Sequence, residues 1–127
     1  MVYQGAPGDL ITSAVEHGAR GIVVAAAGAG ATSGTQGQAL NEALGKGVFV
    51  VTSTRTGSGR IAARRPPAQT AAITPPATGQ ASGQPRQRAA TYIAAEDLAP
   101  VKARILLMLA LAQTTDPVEI QRMFTQY

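Results

Sequence analysis

The sequence predicts a small α/β domain built around a parallel β-sheet, and two observations lead to that prediction. Patterns typical of helices and strands alternate with short connections over residues 1–61, as in half of a doubly wound layer. Two continuous apolar runs, residues 22–27 and 48–52, are typical of strands buried on both faces. The length of 127 residues, 45% of them hydrophobic, suits one domain. We therefore expect a small three-layer α/β domain, a Rossmann- or flavodoxin-like half.

The elements of residues 1–61 follow in order. A first helix is indicated by Asp9 near its start, where a carboxylate suits the helix dipole, and by an apolar stripe at helical spacing, formed by Leu10, Ile11, Ala14 and Val15. The strand at 22–27 leads into a loop of small residues, 28–34. A helix around residues 38–44 and a second strand at 48–52 complete this part of the chain.

Residues 62–90 differ in composition from the rest of the chain. They contain five of the eight prolines and almost no large apolar side chains. Such a segment buries too little surface to offset its ordering entropy. We therefore expect one domain spanning residues 1–127, interrupted by a flexible Pro/Ala/Gln/Arg-rich insertion at 62–90.

The last segment is rich in helix-forming residues. Residues 101–112 follow Pro100, which suits the first position of a helix, and they are apolar nearly all round after Arg104. Such a helix is expected to be covered on more than one side. A short closing helix follows, with Asp116 and Glu119 resembling a capping box and an apolar stripe of Ile120, Met123, Phe124 and Tyr127.

The net charge of +4 comes from one segment of the chain. Six of the eleven Lys and Arg residues lie within residues 55–88, and no Asp or Glu occurs between Glu42 and Glu96. The rest of the chain carries five basic and seven acidic residues. The basic segment has no aromatic residue to stack on bases, so a solvated linker is favoured over a nucleic-acid site.

Several classes of site are excluded by composition. The chain has no cysteine, which excludes thiolate zinc sites and cysteine nucleophiles, and its one histidine, His17, excludes a His-pair metal site within the chain. The longest strongly apolar run, residues 105–112, is far shorter than the ~20 residues of a membrane span. Residues 1–10 show no signal-peptide pattern. We expect no metal, no cofactor and no membrane partner.

The loop at 28–34 follows a strand and precedes a helix, as a dinucleotide-binding loop would. Its spacing is G-x-G-x-x-x-G, and no acidic residue ends the next strand to hold a ribose. We interpret it as a tight turn facing a partner domain. Thr52, Ser53, Thr54 and Arg55 are interpreted as strand-end groups that fix a loop or an interface, rather than as hydrolase machinery.

Three blocks of the sequence match the pattern of a known family in order and spacing. The most specific block is LAPVKARILLMLALAQTTDPVEIQRMFTQY, residues 98–127, where the family pattern is roughly L-N-P-x-K-A-R-x-L-L-x-L-A-L-x-x-T-x-D-P-x-x-I-Q-x-x-F-x-x-Y. The others are YQGAPGDLITSAVEHGARGIVVAAAGAG, residues 3–30, and GVFVVTSTRTGSGRI, residues 47–61. Through these blocks, which cover nearly everything outside the insertion, the sequence resembles the C-terminal part of bacterial L-asparaginases, of the asparaginase/glutaminase family.

The resemblance implies a small C-terminal α/β domain whose first strand is clipped, since residues 1–3 match the inside of that strand. In the family, L-asparagine is hydrolysed to L-aspartate and ammonia by a threonine nucleophile, with a second threonine, a lysine and an aspartate. All four lie on the N-terminal domain, and none of their motifs occurs here. We therefore expect no catalytic residue in this chain. The implied partners are an asparaginase N-terminal domain and, since the family is homo-oligomeric, other subunits.

The resemblance also implies a substrate-binding turn at Gly28, Gly30 and Ala31. The family has an asparagine just after its G-x-G turn, and that position is Ala31 here. Alanine has no hydrogen-bonding side chain, so it cannot orient an amide or an amino group. An acidic residue that the family places in a later loop is expected to have no counterpart, because the insertion occupies that part of the chain.

Three hypotheses about function remain open from sequence. The first is a structural, interface-forming domain of an asparaginase-type amidohydrolase that is inactive by itself. The second is a non-catalytic module that binds polyanions through the basic insertion, and the third is a non-functional remnant. Asparagine and glutamine stay open as substrates. The compartment is also open, because the family occurs in both periplasm and cytoplasm.

Overall fold

A computed structural model describes residues 1–63 and 91–127, which form three strands and four helices. The elements are α1 (Asp9–Glu16), β1 (Gly21–Ala26), α2 (Gln36–Gly45), β2 (Phe49–Thr54), β3 (Tyr92–Ala94), α3 (Pro100–Gln113) and α4 (Pro117–Gln126). The three strands form one parallel sheet in the order β1-β2-β3. The predicted parallel α/β fold is confirmed.

The sheet separates two apolar cores, which makes the domain three-layered. On one side α1 and α2 cover the sheet, with α2 packed against β2, and the core contains Val24, Ala26, Leu40, Leu44 and Val50. On the other side α3 packs against β1 and β2 and α4 packs against β3, and the core contains Phe49, Val51, Ile93, Leu107, Ile120 and Phe124. Every residue of β2 is buried, because this central strand has a strand on each edge and helices on both faces.

The N-terminal residues lie against the outer edge of β1. The backbone N–H of Val2 donates to the carbonyl of Ala25 at 2.9 Å, and the Val2 side chain is buried in the α1–α2 core. This single strand-like hydrogen bond accords with the expectation that residues 1–3 belong to a first strand. The N-terminal half of β1 is only partly buried.

The third strand was not predicted from sequence. β3 has only three residues, too few for a periodic pattern, and it forms because its parallel register with β2 pairs Ile93 with Val51. Its outer edge is covered by Gln121 of α4. The Gln121 side-chain amide accepts from the Ala94 N–H at 2.9 Å and donates to the Ala94 carbonyl at 3.1 Å, so it satisfies both backbone groups that a further strand would bond.

Two expectations about the C-terminal helices need correction. Asp116 caps α4 as predicted, its carboxylate accepting from the Val118 N–H at 2.9 Å. In a capping box the Glu119 side chain would also accept from the Asp116 N–H. Here Glu119 binds Arg122 instead, and the Asp116 N–H donates to Thr114 Oγ1. Tyr127 is 80% exposed rather than part of the packed stripe, because it follows the last helical residue.

The helix α3 is buried on one side only within the described chain. Ala103, Leu107 and Ala110 face the sheet, while Val101 and Met108 are 72% and 62% exposed. The expected cover on a second side is therefore not supplied by the described residues. The described helices include none that is both long and apolar enough to cross a membrane.

Candidate functional site at the carboxyl end of the sheet

The carboxyl ends of the three parallel strands meet at one edge of the sheet, where α/β proteins bind ligands. We call this edge the carboxyl rim. It is formed by the turn at residues 27–34 after β1, the loop at 55–60 after β2, and Ala95 and Glu96 after β3. All three sequence-predicted substrate-binding residues, Gly28, Gly30 and Ala31, lie in the first of these segments.

The turn after β1 closes on itself through backbone hydrogen bonds. The N–H groups of Gly30 and Ala31 donate to the Ala27 carbonyl at 3.2 and 3.1 Å. Gly28 and Gly30 have φ angles of 51° and 105°, a left-handed region that suits glycine because a Cβ is disfavoured there. The two glycines therefore set the turn, and the turn presents Ala31 as an exposed side chain.

Gly30 places this turn directly over the next two strands. A Cβ at Gly30 would lie 3.3 Å from Thr52 Cγ2, 3.8 Å from Ile61 Cδ1 and 3.9 Å from the Tyr92 hydroxyl oxygen. The turn thus packs against residues that come from β2, from the segment following it, and from β3. Its position is fixed by tertiary contacts as well as by its own hydrogen bonds.

The hydroxyl groups near the end of β2 are engaged in local hydrogen bonds. Thr54 Oγ1 lies 2.8 Å from Thr56 Oγ1, and Thr56 Oγ1 donates to the Ser58 carbonyl at 2.7 Å. The buried Ser53 hydroxyl donates to the Leu98 carbonyl, which ties β2 to the segment before α3. These contacts support the interpretation of the strand-end hydroxyls as loop-fixing groups.

An ion pair at the rim was missed by the sequence interpretation. Glu96 is buried at 6% exposure and has φ 56°, making it the one non-glycine residue with positive φ among residues 1–63 and 91–127. Its carboxylate accepts from Arg60 Nε and from the Ala63 N–H at 3.4 Å. Hydrogen bonding and charge attraction from Glu96 raise the pKa of Arg60.

Glu96 also accepts at its backbone carbonyl from the Ile61 N–H at 2.9 Å, so residues 60–63 are attached to the end of β3 by backbone and side chain together. The signal in the sequence was an acidic residue directly after a short apolar run, YIAA, at a strand end. That the family's later acidic residue has no counterpart stays a prediction, which rests on the absence of any Asp or Glu between Glu42 and Glu96.

The other residues considered from sequence lie away from the rim. His17 follows α1 and precedes β1, which places it near the amino end of the sheet, where it is exposed and its Nδ1 lies 2.8 Å from the Ser13 carbonyl. Of the expected insertion at 62–90, Ala62 and Ala63 are described and residues 64–90 lie outside the described residues. In the part of the chain that is described, no group of three His, Cys, Asp or Glu could hold a metal ion.

The fold and rim define an α/β domain with a parallel sheet and a glycine-shaped turn at the carboxyl edge of that sheet. Residues 1–124 match the family model described as "Glutaminase/Asparaginase C-terminal domain". The chain therefore belongs to the glutaminase/asparaginase family, as its C-terminal domain, and the sequence resemblance is confirmed.

Named relatives agree with this assignment. The chain is 37% identical over 125 residues to "L-asparaginase 2" of Bacillus subtilis (strain 168), covering 98% of this chain and 28% of that protein. It is 30% identical over 125 residues to "Glutaminase-asparaginase" of Pseudomonas fluorescens biotype A, covering 98% of this chain and 30% of that protein. The chain thus spans less than a third of the length of these relatives.

A solved structure shows the same fold. The "Probable Cytoplasmic L-asparaginase from Campylobacter jejuni" superimposes with a TM-score of 0.75 at 37% sequence identity, covering 99% of this chain and 33% of that one.

Proposed function

We propose that this chain is the structural, interface-forming C-terminal half of an L-asparaginase-type amidohydrolase, which converts L-asparagine and water to L-aspartate and ammonia. The observation that carries the proposal is the family match over residues 1–124, together with relatives named as asparaginases or glutaminase-asparaginases. Because the chain spans less than a third of those relatives, the catalytic threonine is expected on a separate N-terminal domain.

The carboxyl rim is the part of this chain that we expect to face the substrate. Its turn has the backbone shape set by Gly28 and Gly30, and Ala31 is exposed at its end. Ala31 offers a ligand only its backbone groups, since a methyl group neither donates nor accepts a hydrogen bond. The turn therefore supports a shaping role in the site rather than a chemical one.

The arrangement of polar groups supports inactivity of the chain by itself. A hydroxyl nucleophile needs an adjacent base or cation to react at neutral pH. In the described chain, Thr54 and Thr56 bond to each other at the carboxyl rim, and the rim cation Arg60 is already paired with Glu96. Arg55, in the same loop, stays protonated at neutral pH and cannot take a hydroxyl proton. His17 and Lys46 lie in the segments before β1 and β2, near the opposite end of the sheet, where neither can activate a rim hydroxyl.

The test is release of ammonia from L-asparagine and, in parallel, from L-glutamine. We expect no release by the purified 127-residue chain. Mixing it with the separately expressed N-terminal part of the Bacillus subtilis relative is expected to give activity that neither piece has alone. Amide hydrolysis by the isolated chain that is lost on changing Thr54 or Thr56 would contradict the proposal.

A substitution at the turn tests the role of the rim within that mixture. Ala31→Asn restores the family's residue at an exposed position with room for it, so we expect it to raise kcat/KM of the mixture. The matched control is Ala29→Asn, also exposed and in the same turn but two residues earlier. An equal effect of the two substitutions would show that Ala31 does not face the substrate.

A further inference from the structure

Glu96 combines two energetically unfavourable features at the carboxyl rim. Its φ of 56° lies in the left-handed region, where glycine is favoured over a residue with a Cβ. Its side chain is also only 7% exposed, and such burial takes a carboxylate out of water. Residues that keep costs of this kind concentrate at functional sites, where the surrounding structure holds them in place. A glycine here would avoid both costs, so the presence of a carboxylate points to a function.

The packing of the domain does not account for Glu96. Its side chain belongs to neither apolar core. The outer edge of β3 is covered by Gln121 without a contribution from Glu96. Within the described chain, the side chain and the carbonyl of Glu96 form hydrogen bonds only with residues 60–63. We call residues 55–63 the rim strap, because Glu96 attaches the last part of this segment to the end of β3.

The rim strap is attached at its two ends and exposed between them. Its first part is fixed by the hydrogen bonds of the Thr56 hydroxyl, and its last part is fixed by Glu96. Residues 55–60 are all exposed. An added Cβ at Gly57 or Gly59 would meet no atom within 4 Å, so this part of the strap has open space around it. Because such a segment gains little stability from packing, its position depends on its two attachments.

The last part of the strap packs against the turn that carries the predicted substrate-binding residues. Ile61 is 5% exposed, and its Cδ1 lies 3.8 Å from the position of a Cβ added to Gly30. The Ile61 N–H donates to the Glu96 carbonyl at 2.9 Å, and residues 61 and 96 form an antiparallel bridge. A continuous series of contacts therefore leads from Glu96 through Ile61 to the turn that presents Ala31.

We infer that Glu96 is a positioning residue of the substrate site. It holds the rim strap on the end of β3, and the strap supports the turn at 28–34 in the shape that meets the amide substrate. The Glu96 carboxylate acts through residues 60–63 rather than on the substrate itself. The kinetic consequence of this role rests on the proposed function. The attachment of the strap does not, because it can be measured in the 127-residue chain without a partner.

Amide hydrogen exchange, followed by NMR, tests the attachment in the 127-residue chain. Glu96→Gln removes the charge at nearly constant size, and Glu96→Gly removes the side chain while relieving the left-handed backbone. We expect the Ile61 amide to exchange at least about tenfold faster in both variants, the change expected from losing a hydrogen bond to a charged group. The matched control is Glu119→Gln, which removes an equivalent carboxylate from Arg122 Nε on α4 and should leave the Ile61 rate unchanged. Circular dichroism of each variant checks that the helices are retained.

Steady-state kinetics of the mixture with the N-terminal part of the Bacillus subtilis relative test the positioning role. A displaced turn weakens substrate binding, so we expect both Glu96 variants to raise KM for L-asparagine at least about fivefold while kcat stays nearly unchanged. A merely structural role would instead reduce the amount of folded protein, which lowers the apparent kcat and leaves KM unchanged. Glu119→Gln should match the parent in both constants.

Two results would overturn the inference. One is an Ile61 exchange rate that both Glu96 variants leave at the parent's value. The other is an active mixture in which both variants keep the parent's KM, which would refute the positioning role while supporting the proposed function. A parent mixture without activity would refute the proposed function, and faster Ile61 exchange in the variants would still support Glu96 as the residue that attaches the strap.

Discussion

Gly34 is expected to be the glycine of the rim turn that is least tolerant of a side chain. It has φ 55°, and an added Cβ would lie 2.5 Å from the Ala6 carbonyl oxygen and 3.0 Å from the Gly5 carbonyl carbon. Both neighbours are backbone atoms, which cannot rotate away as a side chain can. Gly34→Ala must therefore push apart the turn and the segment before α1, which are also joined by a 2.8 Å hydrogen bond from the Gly5 N–H to Ser33 Oγ.

Gly28 supplies a matched control that separates backbone strain from steric overlap. Its φ of 51° is nearly the same, but an added Cβ would meet nothing within 4 Å. Each alanine must adopt a left-handed backbone conformation, which destabilises the folded protein by roughly 1–2 kcal/mol. Alanine also lowers the conformational entropy of the unfolded chain, which offsets roughly 0.4–1 kcal/mol of that cost. We expect Gly28→Ala to destabilise by about 1 kcal/mol. Gly34→Ala adds an overpacking cost of roughly 1–3 kcal/mol, for about 3 kcal/mol in total.

Urea unfolding followed by far-ultraviolet circular dichroism measures the free energy of unfolding of the three proteins. The expected order of stability is parent, then Gly28→Ala, then Gly34→Ala, with m-values unchanged. Equal destabilisation by the two alanines would show that φ alone determines the cost. In that case the close approach of Gly34 to Gly5 and Ala6 would not exist in solution.

Two further predictions concern the last helix. Phe124→Ala removes a side chain that is 1% exposed in the α3–α4 core, and we expect it to lower the free energy of unfolding by about 3–5 kcal/mol. The control is Tyr127→Ala at an 80% exposed position, which should change the free energy of unfolding by no more than about 0.5 kcal/mol in the same urea assay. The hydrogen bond from Arg122 lowers the pKa of Glu119, so its stabilisation is present above the unfolded pKa near 4.5 and is lost as pH falls through the folded pKa. The urea midpoint of Glu119→Gln should therefore lie below the parent's at pH 7, and the gap between the two midpoints should narrow as pH falls below 4.5. A gap of the same size at pH 7 and pH 3 would contradict the ionic cause.

The helices and the first two strands could be predicted from sequence because their signals are local. The run at 22–27 became β1, Gly21–Ala26, and the helix expected around 38–44 became α2, Gln36–Gly45. Three-residue β3 could not be predicted, because its strand character depends on pairing with β2 and on Gln121 covering its outer edge. Neither contact leaves a periodic pattern in the chain.

The candidate site was predicted in part for a similar reason. The family resemblance pointed to Gly28, Gly30 and Ala31, and their turn lies at the carboxyl rim because it follows β1. The role of Glu96 required the structure, because Arg60, its partner, lies thirty-six residues away and the two meet only when β2 and β3 are paired. A contact across that separation is a property of the sheet, not of either segment.

The sequence by itself determined the α/β class, the family resemblance and the location of the excess positive charge in one segment. It could do so because composition, apolar runs and motif spacing are local properties of the sequence. Only the tertiary structure decided which side of α3 is covered. Nearly every residue of that helix after Arg104 is apolar, so no periodicity distinguishes the side that meets the sheet from the side that meets solvent. The choice is made by β1, β2 and α4, which pack against the side of α3 that carries Ala103, Leu107 and Ala110 and leave Val101 and Met108 on its other side exposed.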